Sequence, residues 1–125
     1  MPISQAKIDH HAPIFPVTDM ERALDYYKAV LGFNILFEWE DEEENGTRYA
    51  ILERDDCSLH LTLSPRPHRV AAYFFVDGIK ALYNEMKRRK ALTTEELQDM
   101  PWDMKEFEVS DQDGNLMIFG EALSR

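Results

Sequence analysis

The sequence of 125 residues predicts an α+β fold made of two similar halves, each reading strand, helix and then about three strands. Three observations lead to this prediction. Two segments have the apolar spacing of amphipathic helices, and each is preceded by a short apolar run typical of a buried strand. Corresponding residues of the two halves lie at a nearly constant separation along the chain.

The first predicted helix lies in "TDMERALDYYKAVLGF". Thr18 and Glu21 have the spacing of a capping box, and Gly32 follows the apolar stripe as a helix stop. The second lies in "DGIKALYNEMKRRK", where apolar residues recur every three or four positions before a basic end that suits the helix dipole. Each helix has one apolar stripe and therefore needs a sheet to cover.

Strands are predicted around both helices. "APIFPV" precedes the first helix, and "FNILFEWE", "GTRYAILE" and "CSLHLTLS" follow it, with a turn signal at Asn45-Gly46. "AAYFFV" precedes the second helix, and "KEFEVSD" and "NLMIFGE" flank Asp113-Gly114. Between them, the polar segment "LTTEELQDM" is expected to be a loop or a helical turn.

The two halves align in register. Val17 and Val76, at the strand-to-helix junctions, are 59 residues apart, and His60 and Ile118, in the last strands, are 58 apart. An internal duplication explains this spacing; chance similarity of two ordinary α+β stretches is the alternative. We expect a single domain over residues 1–125, with a first module over about 6–64, a linker over about 65–69 and a second module over about 70–125.

Composition narrows the class of protein. The formal charge is −10 and the pI is about 4.8, so the chain lacks the basic surplus that nucleic-acid binding needs, and the acidity is expected mainly to maintain solubility. Cys57 is the only cysteine, so no intrachain disulfide forms. The start of the sequence lacks the features of a signal peptide, and no apolar run reaches the ~18 residues of a membrane span. We expect a cytoplasmic protein without membrane contact.

Four segments, "PVTDMERALDYYKAVLGF", "VDGIKALYNEMK", "PWDMKEF" and "DQDGNLMIFGE", together resemble the glyoxalase, bleomycin-resistance and extradiol-dioxygenase group, the vicinal oxygen chelate fold. "PWDMKEF" resembles the bleomycin-resistance branch most. The resemblance implies tandem βαβββ modules whose mixed sheets curl around a cleft, with the helices outside. It also implies a homodimer, because many members complete each cleft with two chains.

The resemblance places metal ligands of the family's enzymes on the first and fourth strands of each module. Counting back from Val17 and Val76 puts Ala12 and Ala71 at the first-strand positions, and the fourth-strand positions hold His60 and Ile118. A catalytic zinc needs about three protein ligands, so we expect no metal and no other cofactor. A slip of one residue, which would bring His11 into place, is the alternative, but it would turn the strand's faces over.

Strand alternation then predicts what lines the cleft. If His60 faces inward, so do Ser58 and Thr62, while Leu59 and Leu61 cover the helix side. The candidate ligand-binding residues are mostly aromatic: Phe37, Trp39, His60, Tyr73, Phe75, Trp102 and Ile118. An aromatic, largely apolar groove of this kind suits a flat ligand.

Three features within this prediction have open interpretations. His60 is the candidate general base, with ligand hydrogen bonding and a purely structural role as alternatives. Asp103 follows Trp102 where the family's "PWG" motif has glycine, so the backbone there is expected to differ. Glu106 and Glu108 share one face of their strand, and if that face lines the cleft a buried carboxylate would require a cationic partner.

The remaining polar features are expected to be solvated. The run "EWEDEEEN" lies at a predicted hairpin tip, and His10, His11 and His68 lie in terminal or linker surroundings.

The sequence therefore favours a metal-free homodimer that sequesters a small aromatic compound, in one version a cationic one, as antibiotic-resistance proteins do. The alternative is an enzyme, either a divergent metal-dependent lyase, isomerase or dioxygenase, or a metal-independent catalyst that uses His60 as its base. A module that binds a protein partner is the third class.

Overall fold

The structure, a computed structural model, describes residues 3–43, 46–66 and 68–124. Of the predicted features, Asn45 of the first turn, Glu44 of the acidic run, Pro67 of the linker and the terminal residues 1, 2 and 125 lie outside these ranges. No helix within these ranges is long and apolar enough to cross a membrane.

Within the described residues, eight strands and two helices follow one another in two matching sets. The first set is β1 (Ile14–Val17), α1 (Met20–Asp25, continued by a π-helical turn over Tyr26–Val30), β2 (Asn34–Glu40), β3 (Thr47–Arg54) and β4 (Cys57–Leu63). The second set is β5 (Ala71–Phe75), α2 (Ile79–Arg88), β6 (Leu92–Met100), β7 (Met104–Ser110) and β8 (Leu116–Ala122). Both follow the order βαβββ, which confirms the predicted fold class.

Each set forms its own four-stranded mixed sheet. The first sheet has the order β1-β4-β3-β2 and the second has the order β5-β8-β7-β6. In both sheets the first and last strands are parallel, with Ile14 beside His60 and Tyr73 beside Ile118. These two pairs repeat the spacing of 59 and 58 residues seen in the sequence, so the predicted register of the two halves is confirmed. The sheets stay separate and do not close on each other.

The segment "LTTEELQDM" is a strand, β6, and the prediction of a loop or helical turn was wrong. β6 lies at the edge of the second sheet and pairs only with β7, with register shifts between Thr93 and Gln98. Most of its side chains are exposed, so it needs no apolar alternation, and its polar composition suits a protected edge.

The first helix begins one residue later than its capping-box spacing predicted. Asp19 is the N-cap, and its side chain accepts a hydrogen bond from the backbone N–H of Arg22. Thr18 instead donates from Oγ1 to the Asp113 carboxylate at 2.7 Å, so it connects the two modules. Gly32, with φ of +76°, ends the helical segment as predicted.

Each helix covers one face of its sheet. Phe15, Ala50, Leu52, Leu59 and Leu61 are fully buried on the helix side of the first sheet. On the second sheet the buried helix side is made by Phe107, Val109, Met117 and Phe119. The opposite face of each sheet carries the alternate residues and has no helix over it; we call these the first and second open faces.

A buried polar network connects the modules at the β7–β8 turn. Asp111 and Asn115 are 3% and 1% exposed. The Asp111 carboxylate accepts hydrogen bonds from the Tyr27 hydroxyl, the Asn115 side chain and two backbone N–H groups. Burial and the nearby Asp111 charge raise the pKa of Tyr27 well above its usual value, so the phenol remains a donor. The π-helical turn carries Tyr26 and Tyr27, both of which bond the second module.

Candidate functional site

The first open face is built from aligned rows of side chains. Directly paired residues point to the same side of a sheet, and one row therefore contains Phe37, Ile51, His60 and Ile14. The neighbouring row contains Trp39, Tyr49 and Thr62. Phe37 and Trp39 are each about half exposed, although they are large aromatic residues. The structure thus brings three of the predicted site residues, Phe37, Trp39 and His60, onto one surface.

An open groove of about 520 Å³ runs over this surface, lined by Phe37, Trp39, Arg48, Tyr49, Thr62 and Leu63. Its volume lies within the range of small-molecule sites. A second depression, of about 510 Å³, lies along α1 and is lined mainly by its polar residues, such as Asp19 and Asp25. None of the predicted site residues lines it.

His60 has a partner that the sequence did not reveal. The Tyr49 hydroxyl and His60 Nδ1 are 2.6 Å apart, and the two rings meet edge to face. Partial burial raises the pKa of the Tyr49 phenol, so it remains protonated. When the phenol donates to Nδ1, the neutral imidazole carries its proton on Nε2 and offers the ligand a donor. The reverse arrangement leaves Nε2 as an acceptor or base.

The donors at the family's metal positions do not fit a catalytic metal. Of the four positions only His60 has a donor atom, since Ala12, Ala71 and Ile118 have none, and the residue paired with His60 on β1 is Ile14. Ala12 and His11 both precede β1. Phe15 and Val17 are buried on the helix side, so β1 is not shifted by the one residue that would bring His11 into place. Among the described residues no three His, Cys, Asp or Glu side chains are placed to share one ion.

The second open face carries a different set of groups. Tyr73 and Ile118 share one row with Glu108, and Phe75, Gly120 and Glu106 share the next. Phe75 is 84% exposed, and its ring lies 5.0 Å from that of Tyr73. Strand alternation alone did not decide which face of β7 carries Glu106 and Glu108. Because Phe107 and Val109 are buried on the helix side, Glu106 and Glu108 lie on the second open face.

Glu106 is buried at the centre of an aromatic cluster. Only 6% of its surface is exposed, and its Oε2 accepts hydrogen bonds from the Tyr73 hydroxyl at 2.8 Å and from Trp102 Nε1 at 2.7 Å. Burial and the Glu106 charge raise the pKa of Tyr73 to about 12, so the phenol stays protonated and keeps donating. We call Tyr73, Trp102 and Glu106 the Glu106 cluster.

Gly120 makes this arrangement possible. Tyr73 sits one row away from Glu106, and its ring crosses over Gly120 to reach the carboxylate. A Cβ atom at Gly120 would collide with the Tyr73 hydroxyl and come within 2.6 Å of its ring carbon Cζ. The absence of a side chain at position 120 is therefore what allows the diagonal hydrogen bond.

Trp102 lies in the tight turn between β6 and β7, at the edge of the second open face, and is 58% exposed. Asp103 beside it has φ of +66°, a left-handed conformation that favours glycine. The expected difference from the backbone of the family's glycine-containing motif stays a prediction. Aspartate is among the residues that tolerate this conformation, and the Ser124 hydroxyl donates to its carboxylate.

Tyr49 and Gly120 were not predicted as site residues, and for Glu106 the sequence left open whether its strand face lines the cleft. Tyr49 could have been found by extending strand alternation to β3, where it shares a face with Ile51. The roles of Glu106 and Gly120 depend on the β7–β8 register and on a diagonal contact across rows, and no local sequence signal reports those.

Comparison with known proteins supports the fold and the family. A family model described as the Glyoxalase/Bleomycin resistance protein/Dioxygenase superfamily matches residues 7–119. A search of curated proteins by sequence returned no significant match.

Among solved structures, a glyoxalase-related enzyme from Clostridium phytofermentans has a TM-score of 0.79 at 19% identity, covering 94% of this chain and 98% of its own. The bleomycin resistance determinant encoded on transposon Tn5 has a TM-score of 0.77 at 21% identity, covering 92% and 98%. The bleomycin-binding protein of Streptomyces verticillus, solved with copper(II)-bleomycin, has a TM-score of 0.76 at 21% identity, covering 92% and 97%. At these identities the structural likeness shows the fold, while the family model spans nearly the whole sequence. The chain therefore belongs to the Glyoxalase/Bleomycin resistance protein/Dioxygenase superfamily.

Proposed function

We propose that this protein is a cytoplasmic, metal-free binding protein that sequesters a small aromatic compound on its two open faces. The observation that carries the proposal is the exposure of large aromatic side chains on both faces, by Phe37, Trp39, Tyr73, Phe75 and Trp102, with exposed fractions between 39% and 84%. Aromatic surface of this extent is costly to leave in water and is typical of a site that a partner or ligand covers. The bleomycin-binding neighbours support the same class of function.

We further propose that the protein acts as a homodimer. Each open face is one wall without an opposite wall, because the two sheets of one chain are not joined to each other. A second copy would supply the missing wall and enclose a ligand between aromatic side chains. A compact ligand pocket buries most of its ligand, which one open sheet face cannot do.

Two measurements on the same sample test this proposal. Protein purified without chelator and dialysed should contain well under one equivalent of Zn, Ni, Mn or Fe per chain, since the donors at the metal positions do not form a set of three. Sedimentation at micromolar concentration should give a dimer of the 14.6 kDa chain. A stoichiometric metal would reject the metal-free part, and a single monomeric species would reject the two-chain cleft.

A second candidate function is supported by the Tyr49–His60 pair. A hydroxyl that lines an open groove and is bonded to an imidazole can relay a proton, so His60 would serve as the base of a metal-independent reaction on a small oxygenated substrate.

This candidate predicts that His60→Ala abolishes turnover of that substrate while binding survives, and that Tyr49→Phe lowers turnover and shifts its pH profile. A panel of thiol hemiacetals, catechols and epoxides, with and without added metals, is the assay. The absence of turnover across the panel would leave sequestration as the function.

A further inference from the structure

We propose that the Glu106 cluster on the second open face binds a cationic group of the ligand, a protonated amine or a guanidinium. This inference rests on the proposed function, since it specifies the chemistry of the ligand held there. It assigns a role to a carboxylate that lies outside the family's metal positions.

The Glu106 carboxylate is buried beside neutral hydrogen-bond donors. Glu106 is 94% buried, yet both of its hydrogen bonds come from neutral donors, a phenol and an indole N–H. No described lysine, arginine or histidine forms an ion pair with it; the nearest basic residue in sequence, Lys105, pairs with Asp99 at 2.7 Å. A buried charge without an opposite charge costs several kcal/mol, so the unliganded site favours the arrival of a cation.

One oxygen of the Glu106 carboxylate remains available to a ligand. Tyr73 and Trp102 both donate to Oε2, and Oε1 accepts no hydrogen bond from any described residue. Every fully buried side-chain oxygen in the described part of the chain has a partner, so Oε1 must retain some contact with the solvent side. A ligand N–H can therefore reach Oε1 without displacing either existing donor.

Aromatic side chains lie around the Glu106 carboxylate. The rings of Tyr73, Phe75 and Trp102 are all partly exposed on the same side of the sheet. A cation beside the carboxylate would also meet ring faces or edges, and a cation over an aromatic face is attracted by the electron density of the ring. The same rings would cover the apolar part of the ligand, so an alkylamine that carries an aromatic ring matches both halves of the site.

The two hydrogen bonds also fix the carboxylate before the ligand arrives. Because Gly120 leaves room for the Tyr73 ring and the Asp103 turn holds the Trp102 loop, Glu106 is oriented by groups on three different elements. Preorganisation of this kind lowers the ordering cost of binding.

The test compares two probes that differ only in charge. Tryptamine carries an ammonium group where tryptophol carries a hydroxyl, on the same indole. Both are titrated into the ¹⁵N-labelled protein, and the indole N–H signals of Trp102 and Trp39 are followed, with the signals assigned by Trp39→Phe. We expect tryptamine to bind about tenfold more tightly than tryptophol, because a charge-assisted hydrogen bond replaces a neutral one. The Trp102 indole signal should shift most.

Glu106→Gln is the decisive variant, because it keeps the shape and an acceptor for Tyr73 and Trp102 while removing the charge. The preference for tryptamine over tryptophol should fall to within about twofold. Glu108→Gln is the matched control: it removes the same charge two residues along the same strand face, from a half-buried side chain that accepts from Thr94 Oγ1 at 3.3 Å. It should keep the preference within about twofold of the wild-type value.

The outcomes separate this inference from the function on which it rests. Binding of both probes at equal affinity would overturn the cation site and leave aromatic sequestration standing. An absence of shifts with both probes up to their solubility limits would overturn both. Should Glu106→Gln fail to fold, the wild-type ratio of the two affinities still decides the question.

A basic side chain of a second copy is the competing partner for Glu106. In that case Glu106→Gln would weaken the dimer in sedimentation, and tryptamine would show no advantage over tryptophol in the wild type. This pair of results would overturn the ligand site. An unchanged dimer together with a lost preference for tryptamine supports it.

Discussion

Replacing Asn115 with alanine is expected to lower the free energy of unfolding by about 3 kcal/mol. Asn115 is 1% exposed, and its side-chain NH₂ group donates to the Pro16 carbonyl and to Asp111 Oδ2, both at 2.8 Å. Its side-chain oxygen accepts from the Val70 backbone N–H at 3.1 Å. The substitution removes three hydrogen bonds and leaves buried groups of both modules without partners, so the junction between the sheets should weaken.

Urea denaturation monitored by far-UV circular dichroism measures this loss. Gln112→Ala is the matched control, because Gln112 lies in the same turn and forms no hydrogen bond with the described residues. It should change the unfolding free energy by less than about 0.5 kcal/mol. If the two variants lost equal stability, the buried network would not be what holds the modules together.

Replacing Trp102 with alanine is expected to weaken tryptamine binding about tenfold, with little change in stability. Trp102 supplies stacking surface at the edge of the second open face and donates to Glu106 Oε2. Because 58% of its surface is exposed in the single chain, its removal should cost the fold far less than it costs the site.

Trp102→Phe keeps a stacking ring and removes only the N–H donor, so its binding should fall between the wild type and Trp102→Ala. The affinities come from the same ¹⁵N titration, read on signals of the second open face. Thermal unfolding of each variant checks that the fold is intact. Unchanged affinity in Trp102→Ala would show that the ligand does not use this face.

The elements that the sequence predicted well are those with a buried face. β4 alternates so regularly that the burial of Leu59 and Leu61 and the partial burial of His60 follow from the pattern alone. The duplication predicted from the sequence that His60 and Ile118 occupy equivalent positions in the two sheets. By contrast, β6 lies at an exposed edge where burial imposes no period, so its polar sequence gave no sign of a strand.

The contacts on the second open face could not be predicted without the three-dimensional structure. Tyr73, Glu106 and Gly120 lie on three strands, and the contact among them is diagonal, so neither composition nor alternation brings them together. Asp103 shows a different limit: the sequence marks a departure from glycine, but only the structure shows that the residue is left-handed and that Ser124 bonds its side chain. Strand alternation predicted which sheet face carries each aromatic candidate on a strand. The contacts of these side chains depend on residues from other strands and turns.

Calorimetric titration of chelator-treated protein tests the claim that the ligand binds without a metal. The ligands are small planar aromatic compounds that do not themselves chelate metals, each added with and without Zn, Ni, Mn or Fe. We predict saturable binding of at least one compound, at one molecule per chain, with an affinity that the added metals leave unchanged. Saturable binding that appears only after a metal is added would contradict the claim.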